Sequence, residues 1–321
     1  MALFVPQWAF ALLPVLLLLA ALFWGAPAIS LVSELIGLAS GKPFPARAAR
    51  QVSRLGVRGH ALFWILVLAG WALTMSSPFW QSEFALANQV LLAVTLALPF
   101  FGTLALVAYD LGWKTAKERR AVHVLLGCLG NVAVKCGYWG LVLLALLFFR
   151  GLTLDDPSFL PARSSSLWPL AALWLPMALT LSAAGGLVYL LLRRNADDWG
   201  RDYYRFAPPF LCKWHIALGV VTLMITVWMY LSLKGVFNLH LPQIFYAGAA
   251  SAACLVLAMA LSLLVCVSEN PMRLKGCMLV IALATMLHAG LLAVAVIETL
   301  NRYVPGWDVP TFMPRVLQLV M

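Results

Sequence analysis

Carboxylates are scarce in this chain. It has 12 Asp and Glu against 22 Lys and Arg, and charged residues make up 11 % of its 321 positions. A soluble domain carries about 25 % charge, so a conventional water-soluble core is excluded. No carboxylate cluster has metal-ligand spacing, and HExxH, GxSxG, P-loop and GxGxxG signatures are absent. The chain therefore holds no soluble catalytic domain, and whether it is an enzyme stays open. The six cysteines, Cys128, Cys136, Cys212, Cys254, Cys266 and Cys277, include no CxxC pair. That excludes a covalently attached c-type haem and argues against a disulfide framework. They read instead as small apolar residues packed between helices.

What is abundant is hydrocarbon. Hydrophobic residues reach 63 %, against about 45–50 % in soluble domains, and they fall in long runs. A membrane-spanning helix needs about 20 such residues. The fold class expected is an all-α integral membrane protein, an eight-helix transmembrane bundle. Its spans are expected near 8–24, 60–75, 84–109, 119–149, 167–192, 216–233, 244–267 and 277–300. The first run has no basic segment before it and no clear small-residue cleavage site, so it reads as a first spanning helix rather than a signal peptide. Residues 26–40 extend it or lie at the interface. The tail 301–321 is too short and too Pro-broken to span, and is expected on the membrane surface.

The net charge of +10 would suggest nucleic acid in a soluble protein. Here the basic residues flank apolar runs, so the lipid bilayer and its anionic headgroups are the expected partners, and nucleic acid is not. The segments 42–58, 114–120, 193–213 and 273–275, read as loops, hold 16 of the 22 lysines and arginines. By the positive-inside rule they are cytoplasmic, which puts both termini outside a bacterial-type inner membrane.

The chain divides into two similar halves: 1–150, a first four-helix half, and 151–321, a second four-helix half with the short C-terminal tail. His60 corresponds to His215, and Gly127-Cys128 to Gly276-Cys277. A four-helix unit has even parity, so a duplication would give parallel repeats about an axis along the membrane normal.

Polar groups at membrane depth are the informative residues. Lys135 lies 14 residues past Ala121, roughly 21 Å along a helix, near the bilayer centre. A charge there costs about 2.5–3.5 kcal/mol on insertion scales, so it is expected to face protein. Asn131 and Tyr138 share its helix face at i−4 and i+3. On the last helix Thr285 and His288 form a similar stripe, and Lys135 is expected to meet His288. These two are the candidate reactive groups.

His60, His123 and His215 fall at the expected basic ends of their helices, with His288 deeper. Imidazole is the usual axial ligand of membrane b-type haem, so His60, His123, His215 and His288 are the candidate ligands, as haem iron ligands only. Arg54, Arg58 and Arg120 are candidate partners for haem propionates. The leading expectation is a membrane subunit of a respiratory electron-transfer complex that binds haem b, exchanges electrons with quinone, and docks other subunits. A secondary transporter or channel-like protein with a site near Lys135 and His288 is the second reading. A non-catalytic scaffold subunit is the third.

Overall fold

The computed structural model describes residues 8–74, 78–116, 118–150, 160–161, 165, 167–197, 199–234 and 238–303. Position 198, most of the segment 150–166, and the tail beyond 303 lie outside the described residues, as does the expected surface placement of that tail. The described chain is helical, with no strand among the described residues. Eight helices are long and apolar enough to cross a membrane. Helices suit that solvent because every backbone group finds its partner inside its own segment.

In chain order these are α1 (Trp8–Ser40), α2 (Pro43–Thr74), the short α3 (Glu83–Ala87), α4 (Gln89–Leu111), α5 (Arg120–Arg150), α6 (Leu167–Arg193), α7 (Arg201–Leu233), α8 (Pro242–Val267) and α9 (Lys275–Tyr303). All but α3 are the spanning candidates.

Two boundaries differ from the expectation for one physical reason. The arginine-rich segment 42–58 is not a loop but the first half of α2. Arg47, Arg50, Arg54 and Arg58 recur at helical spacing, while Ala48, Ala49 and Val52 between them are buried. Average hydropathy hides such an amphipathic stripe. Likewise 201–213 opens α7, with Tyr203, Tyr204, Ala207, Leu211 and Cys212 buried and Arg201, Arg205 and Lys213 exposed. The connection left before α7 is only 194–200. Helix α2, 32 residues long, measures about 48 Å against a hydrocarbon core of about 30 Å. It is therefore longer than such a core is thick. Helix α1 also runs unbroken to Ser40, and Gly41 (φ 65°) supplies the left-handed residue that ends it.

Helices α1 and α6 are the most enclosed spans, with 56 % and 67 % of their most apolar windows buried, and they cross at the centre. Gly25 makes this possible: a Cβ there would stand 2.5 Å from the Ala178 carbonyl oxygen. At the same crossing Ser182 donates to the Ala21 carbonyl at 2.8 Å. Small residues at such a contact are how membrane helices approach closely. Around this axis the two halves have the same neighbours. Helix α1 packs on α2 and α5, and α4 on α2 and α5; α6 packs on α7 and α9, and α8 on α7 and α9.

Candidate functional site

Four of the five histidines are buried to between 0 and 4 % exposure. Each is held by hydrogen bonds to other helices.

His60 sits in the interior of the first half, its ring 4.2 Å from that of Phe23. Its Nδ1 lies 2.8 Å from Thr103 Oγ1 on α4. That hydroxyl donates its one proton to the Pro99 carbonyl and accepts from Trp64 Nε1, both at 2.8 Å. It therefore accepts from His60 as well, and Nδ1 carries the imidazole proton. Nε2 is left with a lone pair, buried and without a side-chain partner. Pro27 contributes nearby: having no N–H, it leaves the Phe23 carbonyl without its helical donor, and that backbone group hydrogen-bonds the His60 ring while Lys135 acts on it electrostatically.

His123 is different. Nδ1 meets Glu34 Oε1 and Nε2 meets the Tyr109 carbonyl, each at 2.9 Å. The Tyr109 carbonyl can only accept, so Nε2 donates to it, and Nδ1 forms a buried hydrogen-bonded pair with the Glu34 carboxyl. Glu34 Oε2 also accepts from the Tyr109 hydroxyl at 2.8 Å, and Tyr109 Oη is 3.2 Å from Ser30 Oγ. Glu34 and Tyr109 were not anticipated. The signal was present: Glu34 is the sole charged residue between positions 13 and 40.

In the second half, His215 uses both nitrogens, Nε2 with Thr285 Oγ1 at 2.9 Å and Nδ1 with Ser262 Oγ at 3.0 Å. The arrangement parallels His60. A histidine of the half's second helix meets a hydroxyl of the next, and that hydroxyl bonds back to the carbonyl four residues earlier, Pro99 for Thr103 and Ala258 for Ser262. His288 Nδ1 lies 3.1 Å from the Ser251 carbonyl and 2.8 Å from Ser251 Oγ, whose own proton goes to the His288 carbonyl at 3.0 Å. Nδ1 is again the protonated nitrogen, and Nε2 is again a buried lone pair without a partner.

Lys135 Nζ donates to the Trp24 carbonyl at 2.6 Å and to Asn131 Oδ1 at 2.9 Å. Asn131 Nδ2 in turn reaches the Pro27 carbonyl, and the Tyr138 hydroxyl donates to the Ala171 carbonyl on α6. The polar stripe of α5 thus faces protein, against α1 and α6. The expected meeting of Lys135 with His288 is not what these contacts build. Helix α1 packs on both α5 and α9. The amine stands near His60, whereas His288 is bound to Ser251 on α8 and acts on His215.

The arginines proposed for propionates are partly engaged. Arg54 pairs with Asp197 at 3.2 Å, and Arg58 donates to the Tyr189 hydroxyl at 2.7 Å. Arg120 is exposed and forms no ion pair among the described residues. Asp197 also binds Arg193 at 3.1 Å. The hydrogen bond from Arg193 comes first among the causes that hold the Asp197 carboxyl below its ordinary value, ahead of the attraction of Arg54. Among the described residues no group of three or more His, Cys, Asp or Glu is placed to hold a bare metal ion.

No family model, no curated protein and no solved structure matches this chain.

Proposed function

We propose that this chain is the membrane-embedded subunit of a respiratory electron-transfer complex, lodged in a bacterial-type inner membrane with both termini outside. The observation that carries the reading is His60. Thr103 fixes its Nδ1 proton, and its buried Nε2 has no side-chain partner, with the ring packed beside Phe23. Membrane haem uses that tautomer, with the second nitrogen oriented by a hydrogen-bond acceptor. Of the four candidate ligands, His60 and His288 have an open nitrogen. His215 would have to give up a hydrogen bond, and His123 a proton and its pairing with Glu34.

Haem b, held at His60, supplies reversible one-electron exchange when bound. The residues around it do the rest. Thr103 and Trp64 orient the imidazole, while Phe23 and Phe63, stacked with ring centres 4.1 Å apart, keep the site dry. The shared neighbour pattern and the His60–Thr103 and His215–Ser262 parallel support two repeats related along the membrane normal. The arginine-bearing starts of α2 and α7 project from the bilayer and suit docking of other subunits.

The test is an absorption spectrum of the purified, dithionite-reduced protein. A b-type α-band that disappears in His60→Ala, with the protein still folded, is the expected result. Protein purified after haem-supplemented expression that shows no such band overturns the haem assignment.

A transporter is the second reading, and Lys135 is the observation that favours it. Its amine is held by one carbonyl and one amide oxygen, with no carboxylate within ion-pair distance among the described residues. Proton- or substrate-driven flux into vesicles, lost in Lys135→Met, would select that reading.

A further inference from the structure

A cavity of about 690 Å³ opens in the second half, where α6 ends, α7 begins and α8 turns into α9. Arg194 and Asn195, just past α6, line one side. Arg201, Tyr204 and Arg205 of α7 line the next, and Asn270 of the α8–α9 connection faces them. Three of the lining residues are arginines and none is an acid. Among the described residues none of these arginines forms an ion pair. Asp197 is committed to Arg54 and Arg193, and Asp202 and Glu269 are exposed and do not line the cavity.

Packing does not explain these charges. All three arginines are exposed. Arg201 and Arg205 are i, i+4 on α7, and like charges at that spacing repel. Arg201 is also the first residue of α7, where the helix dipole presents positive partial charge and disfavours a cation. The wall that carries them is fixed. Tyr204 is 6 % exposed, and its hydroxyl donates to the Arg194 and Asp197 carbonyls, tying the segment after α6 to α7. The Arg194 guanidinium lies over its ring, 5.9 Å from the centre.

An anion between the arginines removes both penalties. The planar guanidinium fork matches phosphate oxygens two at a time, and the Asn195 and Asn270 amides add neutral donors. A phosphate monoester has three terminal oxygens and a charge of about −1.5 to −2 at neutral pH, and a diester offers fewer of both. Small-molecule sites span about 300–1,000 Å³, so the cavity has room for the phosphate and for the organic group that bears it.

We propose that this cavity binds a phosphate monoester, held by Arg194, Arg201 and Arg205 with its organic group in the remaining space. Soluble phosphate esters and the lipid phosphatidate both carry that group. The inference does not depend on haem.

The test uses the full chain, delipidated in dodecyl maltoside. It is titrated with radiolabelled glycerol 3-phosphate in solution and, separately, with radiolabelled dioleoyl phosphatidate in the micelles. Arg201→Gln/Arg205→Gln removes two of the lining cations. Lys114→Gln/Arg119→Gln removes two exposed cations beside the α4–α5 connection that do not line the cavity. At least one probe should bind saturably, roughly tenfold or more weakly in the first double variant and less than about twofold more weakly in the second. Saturation by glycerol 3-phosphate makes the source a soluble ester; saturation by phosphatidate alone makes it a lipid headgroup. No saturable binding of either probe overturns the proposal. So does an equal loss in the two double variants, which diffuse surface charge would give. The corresponding diesters, glycerophosphoglycerol and dioleoyl phosphatidylglycerol, should not displace the probes, and displacement at equal concentration overturns the monoester assignment. Folding is read without probe: Arg201→Gln/Arg205→Gln should unfold at the parent's temperature or slightly above it, because the repulsion is relieved. A lower midpoint would assign the arginines to the fold and overturn the proposal.

Discussion

Glu34 of α1 and His123 of α5 face each other at 2.9 Å, 4 % exposed or less, as a buried hydrogen-bonded pair whose remaining bonds go to Tyr109. Removing one member leaves the buried polar atoms of the other unsatisfied, at about 1–3 kcal/mol. Glu34→Ala and His123→Ala should each lower the unfolding midpoint in detergent by an amount in that range. The double variant should be less destabilised than the sum of the two, and a double-mutant cycle measures the difference. Strict additivity would mean the pair is not coupled.

Thr103 holds two donors at once, so Thr103→Val leaves His60 Nδ1–H and Trp64 Nε1–H without an acceptor. The cost should be about 1–3 kcal/mol. The imidazole also becomes free to take the other tautomer, and the α-band of the proposed haem should broaden or shift. A spectrum unchanged in position and width would show that Thr103 does not orient the iron ligand.

Lys135→Met keeps the length of the side chain and removes an amine that acts on His60. The fold should survive, because the other members of the stripe, Asn131 and Tyr138, keep their own bonds to α1 and α6. A nearby positive charge favours the reduced, more negative haem, so its loss should move the midpoint potential in the negative direction, on the order of tens of millivolts. Potentiometric titration reads this. A shift in the positive direction would place the amine elsewhere.

Asp197 ties α2 to the end of α6 through Arg54 and Arg193. Its carboxyl is held below the ordinary value in the folded protein. The contribution is therefore fully present above the ordinary carboxylate pKa and is lost as pH falls through the lowered folded value. Asp197→Asn should be slightly less stable than the parent at neutral pH. The exposure of the partner arginines limits the effect to a fraction of a kcal/mol, on the order of an exposed ion pair. The two proteins should converge in acid. Thermal unfolding of both from pH 7 down to pH 2 checks this, and a gap that persists in acid would point to a role other than charge.

Topology has its own measurement. Lys42 and Asn195, both exposed, lie at the basic ends of the helices, and reporters fused after either should read cytoplasmic. A periplasmic signal at either position would invert the proposed orientation.

The eight apolar runs were legible because solvation by lipid demands length and hydrocarbon from each span separately. The starts of α2 and α7 were not. In 43–58 the arginines dominate any average, while the residues that decide the structure, Ala48, Ala49 and Val52, are small and interleaved. The burial of His288 followed from its depth, whereas His60 and His215, expected at helix starts, are buried because α2 and α7 begin earlier, and which nitrogen each histidine leaves open was not legible. That depends on hydroxyls and carbonyls from other helices, such as Thr103 for His60 and Ser251 for His288, and no spacing along the chain encodes them. Lys135 shows the same limit: its stripe told that it faces protein, and only packing told that the protein is α1.

The crossing of α1 and α6 has a consequence for how the chain is made. The surface of α1 around Ala21 and Gly25 is shaped for Ala178 and Ser182, which lie more than 150 residues later. At about 5–20 residues per second, the ribosome delivers α6 on the order of ten seconds after α1. Until then the first half waits in the membrane with the Ala21 and Gly25 face of its central helix uncovered, open to lipid, to the insertion machinery or to a second nascent chain.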